Sequence, residues 1–170
     1  LGVVVLVPDI YKPSTGAGRG ILPETVSTRR HIEVAAFAAR VSAAFAMGNV
    51  RAILETIPWD PIVEPARADA GFYGKGIDST LLQEEKKLLM ERFHVAETIS
   101  GAGPSRALWY SISQERKART KNMMGLVKPA VDLVTCRLAS LGHRVLEVFD
   151  TAPSPIGARI IRSTRQIKRA

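Results

Sequence analysis

The chain opens on a strand signal. Gly2-Val3-Val4-Val5-Leu6-Val7 is an uninterrupted β-branched run stopped by Pro8, the pattern of a strand buried on both faces. Tyr11 to Pro23 is punctuated by Pro13, Ser14, Gly16, Gly18 and Gly20 and predicts a loop. Ser27 can cap a helix that runs to about Met47 and ends at Gly48. Ala35, Ala36, Ala38, Ala39, Ala43, Ala44 and Ala46 make that helix narrow and apolar nearly all round, so its expected place is central and closely packed.

A second helix is predicted over Asn49 to Ile57. Trp59 to Gly76, broken by Pro61 and Pro65, reads as irregular. Asp78 or Ser79 can cap a helix to about Phe93, with Leu81, Leu82, Leu88, Leu89 and Phe93 on its inner face. Val95 to Ile99 and Arg106 to Ile112 read as strands joined by a tight loop at Gly101, Gly103 and Pro104. Ser113 starts a long helix towards Leu141 with a bend near Pro129. His143 to Phe149 and Ala158 to Arg162 read as further strands, and residues 163–170 as a frayed basic tail. Strands and helices intermix with hairpin-like strand pairs. The expected class is therefore α+β, an antiparallel sheet with helices packed on one face and residues 1–162 forming one domain.

Composition agrees. A chain of 170 residues with 46% apolar and 24% charged residues is globular, neither disordered nor fibrous. One cysteine, Cys136, excludes a disulfide framework and any Cys-based zinc site, and its place between Val134 and Leu138 predicts a core thiol. His31, His94 and His143 have no ligand spacing. The longest apolar stretch, Ile32 to Met47, is interrupted by Glu33 and Arg40 and is too short to cross a bilayer. Leu1 to Val7 lacks a basic flank and is too short for a signal peptide. With Leu1 in place of an initiator methionine, the chain is read as trimmed, processed or part of something longer.

The charge is uneven. Residues 1–105 carry 11 Lys and Arg against 12 Asp and Glu, and residues 106–170 carry 13 against 4, so the whole +8 excess lies in the last 65 residues. Two readings stay open: a solvated basic face, or contact with a phosphate-rich partner such as RNA. Aromatic residues make up only 6% of the chain, which disfavours stacking of bases on a single-strand platform.

Four constellations can carry chemistry. In Thr98-Ile99-Ser100-Gly101-Ala102-Gly103-Pro104-Ser105 a strand runs into two glycines, a proline and hydroxyls. Such a loop either exposes backbone N–H groups to a ligand or is a tight hairpin. In Ser14-Thr15-Gly16-Ala17-Gly18-Arg19, followed by Ile21-Leu22-Pro23, the arginine can fork onto a carboxylate or phosphate, or simply face solvent. In Glu64-Pro65-Ala66-Arg67 the two charges can pair with each other or serve a ligand. Asp150-Thr151 with Gly157-Ala158-Arg159 can line a cleft or face water.

Taken in order and spacing, these segments resemble the C-terminal half of homoserine kinase, a GHMP small-molecule kinase, over roughly residues 1–162. The resemblance implies the ferredoxin-like C-terminal domain of that family. It also implies ATP- and Mg²⁺-dependent phosphorylation of the L-homoserine hydroxyl on the route to threonine. Arg19 and Arg67 match the family's substrate-carboxylate arginines. Ser100, Gly101, Gly103 and Ser105 match the loop beside the nucleotide phosphates, with Ala102 where a serine is usual, and Arg159 is a cleft-lining candidate. The family's N-terminal glycine- and serine-rich ATP loop has no counterpart here, so the chain alone is expected to be inactive. The resemblance implies a partner that supplies that half. It also implies that the strand at Gly2 to Val7 and the loop at Ser100 to Ser105 would otherwise stand exposed. The alternative expectation is a non-catalytic kinase-derived subunit of a larger, RNA-containing assembly. The expected compartment is the cytoplasm, or the mitochondrion for a subunit of such a complex.

Overall fold

The computed structural model describes residues 1–11, 14–101, 103–112 and 124–151. The valine run forms β1 (Gly2–Pro8), and it lies inside a four-stranded sheet rather than at its rim. The other strands are β2 (Ala96–Ile99), β3 (Arg106–Tyr110) and β4 (Val145–Thr151). Their order is β2-β3-β1-β4, and every described pairing is antiparallel. Val4 faces Leu108 and Leu6 faces Arg106 across β1 and β3. Because side chains alternate along a strand, Val4, Leu6, Leu108 and Tyr110 share one face.

Two helices cover that face. They are α5 (Ser79–Phe93), through Leu82 and Leu89, and α6 (Met124–Ser140), through Val127, Ala130, Val131, Val134 and Leu138. The α+β expectation, with helices on one side of an antiparallel sheet, therefore describes the molecule. Helix α6 runs through Pro129, and the expected strand at Ala158 to Arg162 lies outside the described residues.

Local capping explains most helix ends. Ser27 Oγ accepts from Arg30 N–H at the start of α2 (Thr28–Ala46), and Asn49 Oδ1 accepts from Ala52 N–H at the start of α3 (Val50–Thr56). Asp78 caps α5 through Leu81 N–H, and His94 ends it in the left-handed conformation. Two helices stand where loops were expected. α1 (Thr15–Gly20) is capped by Ser14, and α4 (Val63–Asp69) follows Asp60, whose Oδ1 accepts from both Ile62 and Val63 N–H. Pro65 does not break α4, because it sits in the first turn, where a backbone N–H has no helical partner.

Three other expectations are corrected. Helix α2 is peripheral, with Ala44 its only buried residue. It packs on α3 and leaves Ile32 61% and Met47 76% exposed. Cys136 is exposed, on the outer side of α6. The exposed large apolar residues include Ile32 and Phe45 of α2 and Leu146, Val148 and Phe149 of β4, with Tyr11, Val26, Met47 and Trp59 elsewhere, whereas Val3, Val4 and Leu6 of β1 are buried. None of the described helices is long and apolar enough to cross a membrane.

The core also holds charge. Arg106 and Glu97, both essentially without solvent contact, pair through Nη1 and Oε1 at 3.1 Å. Glu85 of α5 is buried beside them, and Arg137 of α6 approaches Glu85 at 3.9 Å. Glu97 Oε2, Arg106 Nε and Arg137 Nη1 find no hydrogen-bond partner there. Burial, and then the neighbouring Glu97 carboxylate, push the Glu85 carboxyl up to about 8, against the opposing pull of Arg106 and Arg137.

Candidate functional site

Three of the segments singled out from sequence meet around α4. Helix α1 approaches through Gly18, where a Cβ would lie 2.8 Å from the Phe72 ring. Only glycine allows that approach. Arg19 is the next residue, and its side chain is exposed. Arg67, in the last turn of α4, is half-buried, and its Nε donates to the Gly18 carbonyl in a long contact of 3.4 Å. The element carrying one arginine is thus held by the guanidinium of the other. Among the described residues, neither Arg19 nor Arg67 has a carboxylate within 4 Å.

Glu64 does not pair with Arg67. One turn earlier on α4, it turns inward to the buried Lys86 of α5. Lys86 Nζ also donates to the Pro58 carbonyl at 2.7 Å. The other carboxylate oxygen, Glu64 Oε1, accepts from Ile99 N–H at 2.9 Å. Burial raises the Glu64 carboxyl, while Lys86 and the Ile99 N–H pull it back. A cavity of about 410 Å³ beside the pair is lined by Arg30, Trp59, Asp60, Asp69 and Gln83 among others, but by neither arginine of the carboxylate motif.

Ile99 ends β2 and leads into the Ser100 to Ser105 loop. That loop is a tight hairpin: Ser100 N–H donates to the Ser105 carbonyl at 2.8 Å, and Gly103 N–H to the Ser100 carbonyl at 3.1 Å. Ser100 and Gly101 face solvent, Ser105 is half-buried, and Gly103 and Pro104 are buried. Gly103 has φ +80°, and a Cβ on it would lie 2.6 Å from the Tyr73 ring. Ala102 and Arg159 lie outside the described residues, as do Arg116, Lys117, Arg119, Lys121 and the basic tail.

Tyr73 is the residue that sequence reasoning missed. It is fully buried, its ring backs the Gly103 turn, and its hydroxyl has no aligned hydrogen-bond partner. Burial first, then the Glu64 carboxylate, push its phenol up to about 12, opposed by Arg67. The hydroxyl therefore stays protonated. Arg19 is exposed and Arg67 half-buried, and a guanidinium at either position can fork onto an anion. Among the described residues, no group of three or more His, Cys, Asp or Glu side chains could hold a metal ion.

A scan against protein-family models and a search of curated proteins found no match. Among solved structures, homoserine kinase from Cytophaga hutchinsonii aligns with 89% of this chain at 22% identity and TM-score 0.56. Phosphomevalonate kinase from Streptococcus pneumoniae aligns with 88% of it at 16% identity and TM-score 0.44. The chain spans 41% of the length of the first and 40% of the second. At these identities the likeness is one of fold, and it is the likeness to homoserine kinase that gives residues of this chain a GHMP-kinase-like α+β fold.

Proposed function

We propose that the chain is the substrate-carboxylate-binding part of a homoserine kinase-like phosphotransferase, with Arg19 and Arg67 as the carboxylate grip. The observation that carries this reading is the contact between the Arg67 guanidinium and the carbonyl of Gly18, the residue before Arg19. Two guanidinium forks on adjacent elements fix a carboxylate in position and orientation, which lowers the entropic cost of presenting the acceptor hydroxyl. ATP and Mg²⁺ are handled, on this reading, by a separate N-terminal kinase half, the partner it requires. The Ser100 to Ser105 turn would border that partner's phosphate region.

The test is calorimetric titration of the full chain with L-homoserine and, in parallel, with its lactone, which lacks the carboxylate. Binding of L-homoserine alone is expected. Arg67→Ala should weaken it at least tenfold, in line with about 1.5–3 kcal/mol for a charge-assisted hydrogen bond. Equal binding of the lactone, or an unchanged affinity in the variant, would overturn the reading.

A further inference from the structure

We propose that Glu64 is a positioning residue, whose carboxylate, neutralised by Lys86, fixes the spacing between Arg67 and the Ser100 to Ser105 turn. Three observations carry this. Glu64 lies one turn before Arg67 on α4, so any displacement of that turn displaces the guanidinium. Its Oε1 holds Ile99 N–H, the last backbone donor before the turn. Its Oε2 is held by Lys86, whose ammonium is anchored in turn to the Pro58 carbonyl. One carboxylate thereby ties α4, α5 and β2 at a single point, and all its contacts are buried.

An ion pair is a costly way to make that connection. Each charge loses its hydration, and an apolar pair of similar volume is often at least as stable. What the charged pair adds is direction. A carboxylate with one oxygen on a backbone N–H and the other on an ammonium has one orientation. Tyr73 lies against the same assembly, its ring behind Gly103 and its hydroxyl near Arg67 and Glu64. A shift of Glu64 would therefore be felt at both the turn and the guanidinium.

The effect on ligand affinity rests on the proposed carboxylate site; the effect on geometry does not. The experiment uses full-length chain labelled with ¹⁵N. It records the Gly101 and Gly103 amide signals and the Arg67 Nε–H signal, together with L-homoserine affinity. Glu64→Asp withdraws the carboxylate by about one C–C bond, roughly 1.5 Å. Glu64→Gln keeps the length but has one oxygen for the two donors, Ile99 N–H and Lys86 Nζ.

Glu64→Asp should fold cooperatively, move all three signals and weaken L-homoserine at least tenfold. Glu64→Gln should also move the signals, because its amide offers one oxygen to two donors and leaves the buried Lys86 ammonium without its counter-charge. A residue that served stability alone would leave these signals in place in the folded variant, and that result would overturn the proposal. Should Glu64→Asp fail to fold, Lys86→Met is measured in the same way. It removes the ammonium that holds Glu64 Oε2, so unmoved signals there would also overturn the proposal. If the signals move as expected but wild-type chain does not take L-homoserine, the positioning role stands and the proposed function falls.

Discussion

Replacing Glu85 by glutamine should make the chain's stability less dependent on pH, in a direction fixed by its burial. The Glu85 carboxyl is raised from 4.5 to about 8, chiefly by burial and then by Glu97. In the unfolded chain it ionises near its ordinary value. Between those pH values the native state holds a proton that the unfolded state has released. Stability therefore falls as pH rises through the window and levels off above it. At about 1.4 kcal/mol per pH unit, the full window is worth on the order of 5 kcal/mol. For a chain of this size that corresponds to roughly 10–20 °C in melting temperature.

Glutamine is isosteric with the protonated acid and can still donate to Glu97, but it has no proton to lose. At pH 5 the variant should melt close to wild type. By pH 9 it should melt about ten degrees or more above it. Thermal melts followed by circular dichroism across pH 5–9 read the difference between the two proteins. Titrations elsewhere, such as Asp9 with Arg144 or Glu33 with Arg29 and Arg30, largely cancel in that difference. A difference that stays constant within a degree or two from pH 5 to 9 would refute the reasoning. It would mean that Glu85 is ionised in the folded core, balanced by Arg106 and Arg137.

Two further perturbations probe the turn and its backing. Gly103→Ala puts a Cβ 2.6 Å from the Tyr73 ring at φ +80°, whereas Gly101→Ala meets only open space at φ +61°. In urea denaturation the first should cost at least about 2 kcal/mol and the second only about 1 kcal/mol. Equal losses would mean that Tyr73 does not back the turn. Tyr73→Phe removes a buried hydroxyl without an aligned partner, so stability should be unchanged or raised by about 1 kcal/mol. A loss of more than about 1 kcal/mol would show that the hydroxyl is satisfied after all.

What could be read from the sequence was local. Ser27, Asn49 and Asp78 cap helices through their own neighbours, and the valine run needs only its β-branched side chains to make a strand. These signals placed α2, α3, α5 and β1 to within a few residues. Helices α1 and α4 are hidden in the sequence because glycine and proline ordinarily break helices. A short helix tolerates glycine where a ring presses on it, as Phe72 does on Gly18, and tolerates proline in its first turn. The alanine-rich α2 was misplaced for another reason. Composition says that a helix is apolar, not what covers it, and the described residues cover little beyond Ala44.

The buried charges had a signal that composition hides and periodicity reveals. Leu82, Glu85, Lys86 and Leu89 stand at i, i+3, i+4 and i+7, the spacing of one helix face, and all four are buried. A charged pair in the inner stripe of a helix must find partners, because neither group can be left alone without water. Here the two charges go to different places. Glu85 reaches Glu97 and Arg106 under the sheet, and Lys86 reaches Glu64 and the Pro58 carbonyl. The same alternation places Glu97 and Arg106 on the helix-covered face of their strands, opposite Leu108 and Leu6. One turn of α5 therefore joins the sheet's internal charges to the helix that carries Arg67. The two ends of that turn should respond separately: Glu85→Gln should change the pH dependence of melting while leaving the Arg67 Nε–H signal in place, because no side-chain contact among the described residues joins Glu85 directly to Glu64 or Arg67.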